Sequence, residues 1–337
     1  MCCTALRKCA DAAKSIAISL GTSPRYGFFG CHVIGAQCRV ICEAMTRRAA
    51  WVSGARPRTL PAAVVPVAIG MAVVAGETGV DAGRVVLHGG LALVVSLALQ
   101  VAVNYANDYS DGVRGTDDHR QGPMRLVASG AASAAAVKRA AMISFAVAGV
   151  FGLVLAARTS WWLLAVGVVC MAAGWTYTGG PKPYGYLGLG EVFVFVFFGL
   201  VATAGTVFVI VEQVTRLALV SGAVAGFLAV ALLMVNNIRD IDNDRTSGKI
   251  TLAVRLGPRR ARAAYSMMFT AAAAAMVVAA LDEPLGALGL VGLLAALPAI
   301  STVRAARSTS DLVRALGMTA RAQLVVGVLY AVGLVIQ

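Results

Sequence analysis

The chain has 337 residues, of which 59% are hydrophobic and 13% charged, against roughly 25% charged residues in an average soluble domain. Together with a mean hydropathy of +0.79, this composition excludes an ordinary soluble domain and indicates an integral membrane protein. The net charge of +13 predicts no nucleic-acid partner, because the cytoplasmic loops of membrane proteins collect Lys and Arg.

The first 44 residues differ from the rest of the chain. Six of the seven cysteines lie there, but their spacing does not resemble a paired CxxC zinc site. Three basic residues interrupt the apolar stretches, so the segment lacks a clean signal peptide. Met45 is a natural alternative start. We therefore leave 1–44 unassigned, as a disordered leader or a start-site artefact, and expect a single transmembrane domain over 45–337.

Apolar runs long enough to cross a bilayer, which takes about 17–25 residues each, recur along this domain. They lie near residues 60–76, 87–106, 136–157, 161–177, 190–211, 217–236, 263–281, 285–303 and 318–336. The first and fourth runs are short. The sequence therefore predicts an all-α integral membrane protein with about nine transmembrane helices.

The basic residues give this topology an orientation. If the domain starts in the cytoplasm, the segments on the inner side hold 21 Lys and Arg residues and those on the outer side hold 3. Positive residues accumulate on the cytoplasmic side of membrane proteins. The sequence thus predicts a multi-pass protein with a cytoplasmic N-terminus.

A first acidic cluster follows the second apolar run, on the inner side. If the helix continues into it, four polar side chains recur at i, i+3, i+4 and i+7 and share one face. These are Asn104, Asn107, Asp108 and Asp111. Two glycines then release the helix, so that Asp117 can fold back toward the same point.

A second acidic cluster follows the sixth run, also on the inner side. Asp240 and Asp244 share a helix face at i and i+4, whereas Asp242 points elsewhere. Dense carboxylates repel one another unless a cation neutralises them. Oxygen ligands without nearby His or Cys select Mg²⁺, Mn²⁺ or Ca²⁺ over zinc. Since Mg²⁺ takes few carboxylates and completes its shell with substrate phosphates, the two clusters predict a magnesium-diphosphate site, with Mn²⁺ as a possible substitute. The metal ligands predicted are Asn104, Asn107, Asp108, Asp111, Asp240 and Asp244.

Basic residues interleave with both clusters and could hold phosphate oxygens. The diphosphate-binding candidates are Arg114, Arg125, Arg239, Arg245 and Lys249. The alternative is that each is an ordinary loop charge of the inner side.

These motifs resemble the UbiA superfamily of intramembrane prenyltransferases. Its NDxxD motif corresponds to residues Asn107 to Asp111 and its DxxxD motif to Asp240 to Asp244. Three stretches, residues 56–61, 107–117 and 237–249 with 251–257 after it, are most similar to the branch that acts on 1,4-dihydroxy-2-naphthoate in menaquinone biosynthesis. The likeness begins near residue 47. One departure is that the last acid of the first motif stands at Asp117 rather than at position 115, which leaves its metal role open.

The resemblance implies helices around a central apolar cavity and transfer of a polyprenyl chain from its diphosphate to the aromatic acid, with loss of CO₂. Magnesium would stabilise the departing pyrophosphate. The partners implied are the two substrates and the lipid bilayer, with no obligate protein partner evident. The expected location is the cell membrane, with the active site toward the cytoplasm.

The Gly/Pro-rich segment 177–186 lies on the same side and could close the cavity. Tyr177 could shield an allylic cation with its ring, and Lys182 could hold the aromatic acid or a phosphate. With Asp117, these residues form the catalytic candidates. The alternative for the tyrosines is an interfacial aromatic anchor.

Other functions remain open at this point. Residues 108–112 match the opening DxxDG of the CDP-alcohol phosphotransferases, although the continuation of that motif is missing. An ion-coupled transporter also uses intramembrane acids, but these would be expected near the bilayer midplane. Within the superfamily, 4-hydroxybenzoate and homogentisate are alternative acceptors.

Overall fold

A computed structural model describes residues 48–75, 79–117 and 124–336. The predicted leader 1–44 lies outside these residues. The chain divides into two compact units, Met1–Ser53 and Gly54–Gln337. In the first unit, the described residues 48–53 are helical. The second unit contains both acidic clusters.

All regular structure in the described part of the second unit is helical, which confirms the all-α prediction. We number its helices α1 to α10. They are α1 (Pro61–Ala75), α2 (Ala82–Val113), α3 (Ala134–Arg158), α4 (Leu163–Thr176), α5 (Gly190–Val211), α6 (Arg216–Arg239), α7 (Ile241–Thr246), α8 (Leu252–Ala279), α9 (Pro284–Ala305) and α10 (Thr309–Val335). Helix α5 contains a π-helical stretch at Phe195–Val201, and α9 alternates between 3-10 and α segments.

Each of the nine predicted runs coincides with one of these helices, but the number of spans is not confirmed. Seven helices in the described chain are long and apolar enough to cross a membrane. The number rises to eight if the helix pair Arg48–Thr59 and Pro61–Ala75 is counted as one broken span. Helices α1 and α4 have only 15 and 14 residues. A bilayer span takes about 17–25 residues, so these two helices are shorter than a span. They form the first and fourth runs, which are also the short runs of the sequence.

Capping residues explain why several helices begin before their apolar runs. The Ser308 hydroxyl accepts a hydrogen bond from the Asp311 backbone N–H, and the Asp311 carboxylate accepts one in return from the Ser308 backbone. This capping box starts α10 at Thr309, well before the predicted residue 318. Helix α2 likewise continues beyond its apolar run to Val113. The first acidic cluster is therefore helical, as the spacing requires.

Helix α6 lies at the centre of the bundle. Of its most apolar stretch 72% is buried, against 28% for α2, α3 and α8. Small residues allow α5 to approach it closely: a Cβ on Gly199 would lie 2.5 Å from the Gly226 Cα and 2.6 Å from the Gly222 carbonyl oxygen. Such small-residue contacts are typical of helix packing in lipid.

Large apolar side chains cover the outside of the bundle. Trp161 is 63% exposed, and Val168 and Val291 are similarly open. A soluble protein would not leave so many such side chains in water. The chain is thus a multi-pass membrane protein, and its outer helices α3 and α4 face lipid.

Candidate active site

An elongated cavity of about 310 Å³ runs between helices α1 to α6. Helix α2 lines it from Ala92 to Asp111, a stretch that corresponds to about 28 Å at 1.5 Å per residue. Near Ala92 the walls are apolar, with Leu155 and Val166 from neighbouring helices. At the other end lie the polar residues of the acidic clusters. The cavity therefore joins a hydrocarbon-like compartment to a charged one.

The first acidic cluster reaches the polar end through Asn107 and Asp111, which both line the cavity. The Asn107 Oδ1 accepts a hydrogen bond of 2.7 Å from the Thr178 hydroxyl. The Asp111 Oδ1 accepts one of 2.9 Å from the Tyr186 hydroxyl. Both side chains are buried, so segment 177–186 holds the two motif residues in fixed orientations.

The second cluster reaches the same end through Asp240, which also lines the cavity. The Arg239 guanidinium donates to both of its carboxylate oxygens, at 2.8 and 2.7 Å. Nearby Asn237 lines the cavity and donates a hydrogen bond of 2.9 Å to the buried Glu191. The second cluster is thus also fixed by neighbouring side chains.

Lys249 joins the two clusters. Its Nζ lies 3.5 Å from the Asp111 Oδ2 and 3.9 Å from the Asp244 Oδ1. A second link is the hydrogen bond of 2.9 Å from the Asn243 amide to the Thr116 carbonyl oxygen. The clusters stand more than a hundred residues apart in the chain, yet their carboxylates converge on one cationic group.

The surroundings of Lys249 change its acid-base behaviour. Burial by itself lowers the pKa of the ammonium, but the neighbouring Asp111 and Asp244 carboxylates outweigh burial and raise the pKa above its usual value. For Tyr186, burial and then the Asp111 charge raise the pKa of the phenol. Lys249 is therefore charged and Tyr186 is a neutral hydrogen-bond donor at neutral pH.

The donor set fits magnesium delivered with a phosphate group better than a preformed metal cage. In the described residues no three His, Cys, Asp or Glu side chains form a group able to hold a metal ion. Magnesium needs only one or two protein carboxylates when phosphate oxygens and waters complete its shell. Asp111 and Asp244 already converge on the Lys249 ammonium, so their geometry suits a shared cation. The residues present thus fit the group that the motifs imply.

Two predicted metal ligands have other partners. Asp108 is fully buried, and its oxygens accept hydrogen bonds from the backbone N–H groups of Leu126 and Val127, at 2.9 and 3.0 Å. Asn104 lines the cavity, but its amide donates to the Ala55 carbonyl at 2.8 Å, and its Oδ1 accepts from Gln100 at 3.3 Å. Both side chains bind backbone groups of segments that pack against α2, so we leave Asp108 and Asn104 out of the proposed ligand set.

Of the five predicted phosphate-binding residues, Arg125 and Lys249 line the cavity. Arg114 instead donates hydrogen bonds to the carbonyl oxygens of Thr178 and Gly180. The other two predicted residues lie outside the cavity lining. Arg239 is paired with Asp240, and Arg245 is exposed. Arg114 thus positions segment 177–186 rather than facing the cavity.

The three catalytic candidates also separate. Tyr177 lines the cavity, with its ring packed edge-on against Tyr184 at 5.4 Å. Lys182 is exposed on the outside of its loop and does not line the cavity. Asp117 lies 3.2 Å from the Nε of Arg125 and is buried behind it. Of the three, Tyr177 alone lines the cavity, and Asp117 contacts the cavity-lining Arg125.

Other site residues were not predicted from the sequence. Tyr186 and Thr178 hold the first cluster, and they belong to the segment that the Gly/Pro content had already marked. Arg56 lines the cavity and has a left-handed backbone, with φ of 53°. Glu191 is buried at the start of α5. An acid within an apolar run is a functional signal in itself, so Glu191 could have been found.

A family model described as the UbiA prenyltransferase family matches residues 63–332. The 1,4-dihydroxy-2-naphthoate octaprenyltransferase of Mycobacterium tuberculosis is 46% identical over 287 residues, which cover 83% of this chain and 95% of that protein. The enzyme of the same name from Escherichia coli is 37% identical over 227 residues, 65% of this chain and 72% of that protein.

Solved structures agree on the fold. The apo structure of a UbiA homolog from Aeropyrum pernix covers 81% of this chain and 97% of its own, with a TM-score of 0.60 and 19% identity. A UbiA homolog from Archaeoglobus fulgidus bound to GPP and Mg²⁺ covers 85% of this chain and 99% of its own, with a TM-score of 0.55 and 12% identity. At such identities the likeness concerns the helix arrangement.

Proposed function

The chain belongs to the UbiA prenyltransferase family, as the motifs predicted, and we propose that it prenylates 1,4-dihydroxy-2-naphthoate in menaquinone biosynthesis. A polyprenyl diphosphate is the donor, and the acceptor loses its carboxylate as CO₂. The observation that carries this proposal is the convergence of Asp111 and Asp244 on Lys249 at the charged end of an apolar cavity. The names of the relatives at 46% and 37% identity supply the acceptor.

The cavity suits the donor in both shape and polarity. A hydrocarbon chain fits the apolar part between α2, α3 and α4, and the diphosphate fits the polar end beside Lys249 and Arg125. Asn107, Asp111, Asp240 and Asp244 would hold magnesium, with Mn²⁺ as a substitute; the ion would offset the charge of the departing pyrophosphate. The Lys249 ammonium and the Arg125 guanidinium would hold phosphate oxygens by charge-assisted hydrogen bonds.

Chain residues also explain how the reactive centre is protected. When the C–O bond to the diphosphate breaks, pyrophosphate takes the electron pair and an allylic cation remains. Apolar walls exclude water that would capture it, and the Tyr177 ring lines the cavity where the cation would form. The ring of the acceptor then forms the new C–C bond. When CO₂ leaves, the electron pair of the broken C–C bond stays with the ring. The prenyl group thus replaces the carboxylate without a further co-reactant.

We assign the acceptor carboxylate to Arg56. Among the described residues, Arg56 and Arg125 are the arginines that line the cavity. Arg125 is assigned to the diphosphate above, which leaves Arg56, whose guanidinium lies 3.4 Å from the Asn104 carbonyl oxygen of α2, for the carboxylate. A planar guanidinium matches a carboxylate in a bidentate arrangement.

The proposed location is the cell membrane, with the polar end of the cavity toward the cytoplasm. This location is supported by the grouping of both acidic clusters, Lys249 and the loops with most of the Lys and Arg residues at one end of the bundle. Positive loops face the cytoplasm. Soluble aromatic acid and magnesium would then enter from the cytoplasm, and the polyprenyl donor from the bilayer.

Acceptor choice is tested with purified protein in vesicles, radiolabelled polyprenyl diphosphate and magnesium. We expect labelled product with 1,4-dihydroxy-2-naphthoate and background label with 4-hydroxybenzoate or homogentisate. Equal labelling of 4-hydroxybenzoate would contradict the proposed acceptor while leaving the prenyltransferase chemistry intact. A CDP-alcohol phosphotransferase or a transporter is disfavoured, because neither function accounts for the family and its named relatives.

A further inference from the structure

A second pocket, separate from the active-site cavity, opens on the surface between α8 and α9. Its volume is about 480 Å³, and it is lined by Pro258, Arg259, Arg262, Ala263 and Arg304. Three of these five residues are arginines, and none is acidic. Nothing in the prenyl-transfer chemistry uses them.

Local backbone geometry brings these arginines together. Gly257 has a φ of 72° and interrupts α8, so that a new helical segment begins at Pro258. Arg259 and Arg262 then stand at i and i+3, which places them on one face of that segment. The C-terminal end of α9 adds Arg304 from the opposite wall.

The guanidiniums of Arg262 and Arg304 are held in place by neutral acceptors. Arg262 donates a hydrogen bond of 3.2 Å to the Arg304 carbonyl oxygen. Arg304 in turn donates from Nε to the Ser266 hydroxyl, also at 3.2 Å. The Arg262 Nε is buried and has no hydrogen-bond partner among the described residues. Donor groups are thus oriented but not fully used.

Charge balance distinguishes this pocket from the other end of the bundle. There, two arginines have carboxylate partners: Arg84 lies 2.5 Å from Glu212, and Arg216 lies 2.6 Å from Asp282. Within the described chain, no ion pair joins an arginine of the pocket to a carboxylate. Like charges that share a pocket repel one another, so an anion from outside the chain would stabilise it.

We propose that this arginine pocket binds the phosphate headgroup of an anionic phospholipid. The pocket lies at the end of the bundle where α8 begins and α9 ends, which is a membrane-interface depth. Directly beyond it, exposed apolar side chains continue along the same two helices, including Met267 of α8 at 63% exposed and Leu297 of α9 at 57%. Acyl chains would lie along these side chains while the headgroup phosphate occupies the pocket. This arrangement matches an amphiphile better than a free anion.

The proposal predicts selective binding of phosphatidylglycerol over phosphatidylcholine by the detergent-solubilised full chain, measured by native mass spectrometry. For Arg262→Gln/Arg304→Gln we expect roughly 30-fold weaker phosphatidylglycerol binding, because each arginine near an anionic headgroup contributes about 1 kcal/mol and about 1.4 kcal/mol corresponds to tenfold. Arg259 is exposed, so Arg259→Gln serves as a second variant that spares the packing of the fold, with roughly fivefold weaker binding.

A matched control removes the same charge outside the pocket. Arg260 and Arg307 are exposed, carry no ion pair among the described residues and do not line the pocket. Arg260→Gln/Arg307→Gln should leave phosphatidylglycerol affinity within about twofold, since net charge alone is then tested. Equal loss in test and control variants would overturn the proposal by showing a diffuse surface effect.

Free phosphate is distinguished in a separate arm. Inorganic phosphate added to protein in phosphatidylcholine should not raise the melting temperature, whereas phosphatidylglycerol should. A shift with inorganic phosphate equal to that with the lipid would refute the lipid assignment. The readouts are binding and melting, so the outcome does not depend on the identity of the prenyl acceptor.

Discussion

Replacing Lys249 with methionine tests two roles of its ammonium group. One is to neutralise the Asp111 and Asp244 carboxylates, and the other is to hold a phosphate oxygen of the substrate. The Nζ lies 3.5 Å from Asp111 and 3.9 Å from Asp244. At an effective dielectric constant of about 20, each contact corresponds to about 4–5 kcal/mol of attraction before desolvation. A divalent ion held by the same carboxylates must compete with this ammonium. Without it, the carboxylates lose their counter-charge and should bind a divalent ion more tightly in the absence of substrate.

Prenyl transfer should change in the opposite direction. One charge-assisted hydrogen bond to a phosphate oxygen contributes about 1.5–3 kcal/mol, so loss of the ammonium should slow transfer roughly 10- to 150-fold. Mn²⁺ affinity of the purified Lys249→Met protein is measured by electron paramagnetic resonance, and the rate by single-turnover transfer of labelled prenyl groups.

Two control variants accompany Lys249→Met, one that keeps the charge at this position and one that removes a lysine elsewhere. Lys249→Arg keeps the positive charge and should retain weak Mn²⁺ binding. Lys138→Met removes an exposed lysine that packs over the Tyr109 ring at 5.5 Å, away from the carboxylates. It should leave both quantities unchanged. If Lys249→Met bound Mn²⁺ no better than wild type and kept its transfer rate, the argument for a shared carboxylate pair would fail.

Three further changes test the assignments of buried groups. Asp108→Asn should lower stability by about 1.5–3 kcal/mol, through weaker hydrogen bonds to a backbone turn, while leaving Mn²⁺ affinity unchanged; the reverse pattern in melting and binding would return Asp108 to the metal site. Glu191→Leu should impair transfer through loss of the Asn237 contact, and Glu191→Gln should preserve it, as compared by single-turnover rates. Gly199→Ala should destabilise the fold by about 1–3 kcal/mol through overpacking, whereas Gly149→Ala, with open space around its Cβ position, should not; equal melting temperatures would contradict the close α5 to α6 contact.

Helix identity and the polar face of α2 were predictable from the sequence because both depend on local periodicity. Hydropathy located every long helix, and the i, i+3, i+4, i+7 spacing placed Asn107 and Asp111 on a common face. The ends of the helices were less well predicted. Hydropathy does not report a capping box such as that of Ser308 and Asp311, so α10 begins earlier than its apolar run.

The division of labour within the acidic clusters could not be read from spacing. Asp108 stands beside Asn107 on the same helix face, but its carboxylate is used by backbone N–H groups 18 and 19 residues later in the chain. Such choices depend on which loop returns to which helix. They are set by tertiary contacts that a periodic pattern does not contain.

Lys249 shows the same limit with the opposite outcome. Its position after the second cluster was equally consistent with a phosphate ligand and with an ordinary loop charge. The structure places it between carboxylates of both clusters. A loop lysine becomes a central residue because α7 and the following turn fold back toward α2.

The most direct test of shared cation binding by the two clusters is a double-mutant cycle on magnesium-dependent prenyl transfer to 1,4-dihydroxy-2-naphthoate. The variants are Asp111→Ala, Asp240→Ala and the double variant, each with a melting curve to show that it is folded. We expect each single change to abolish transfer to background and the double change to add nothing, because one diphosphate requires both clusters. Retained transfer in either folded single variant would contradict the account.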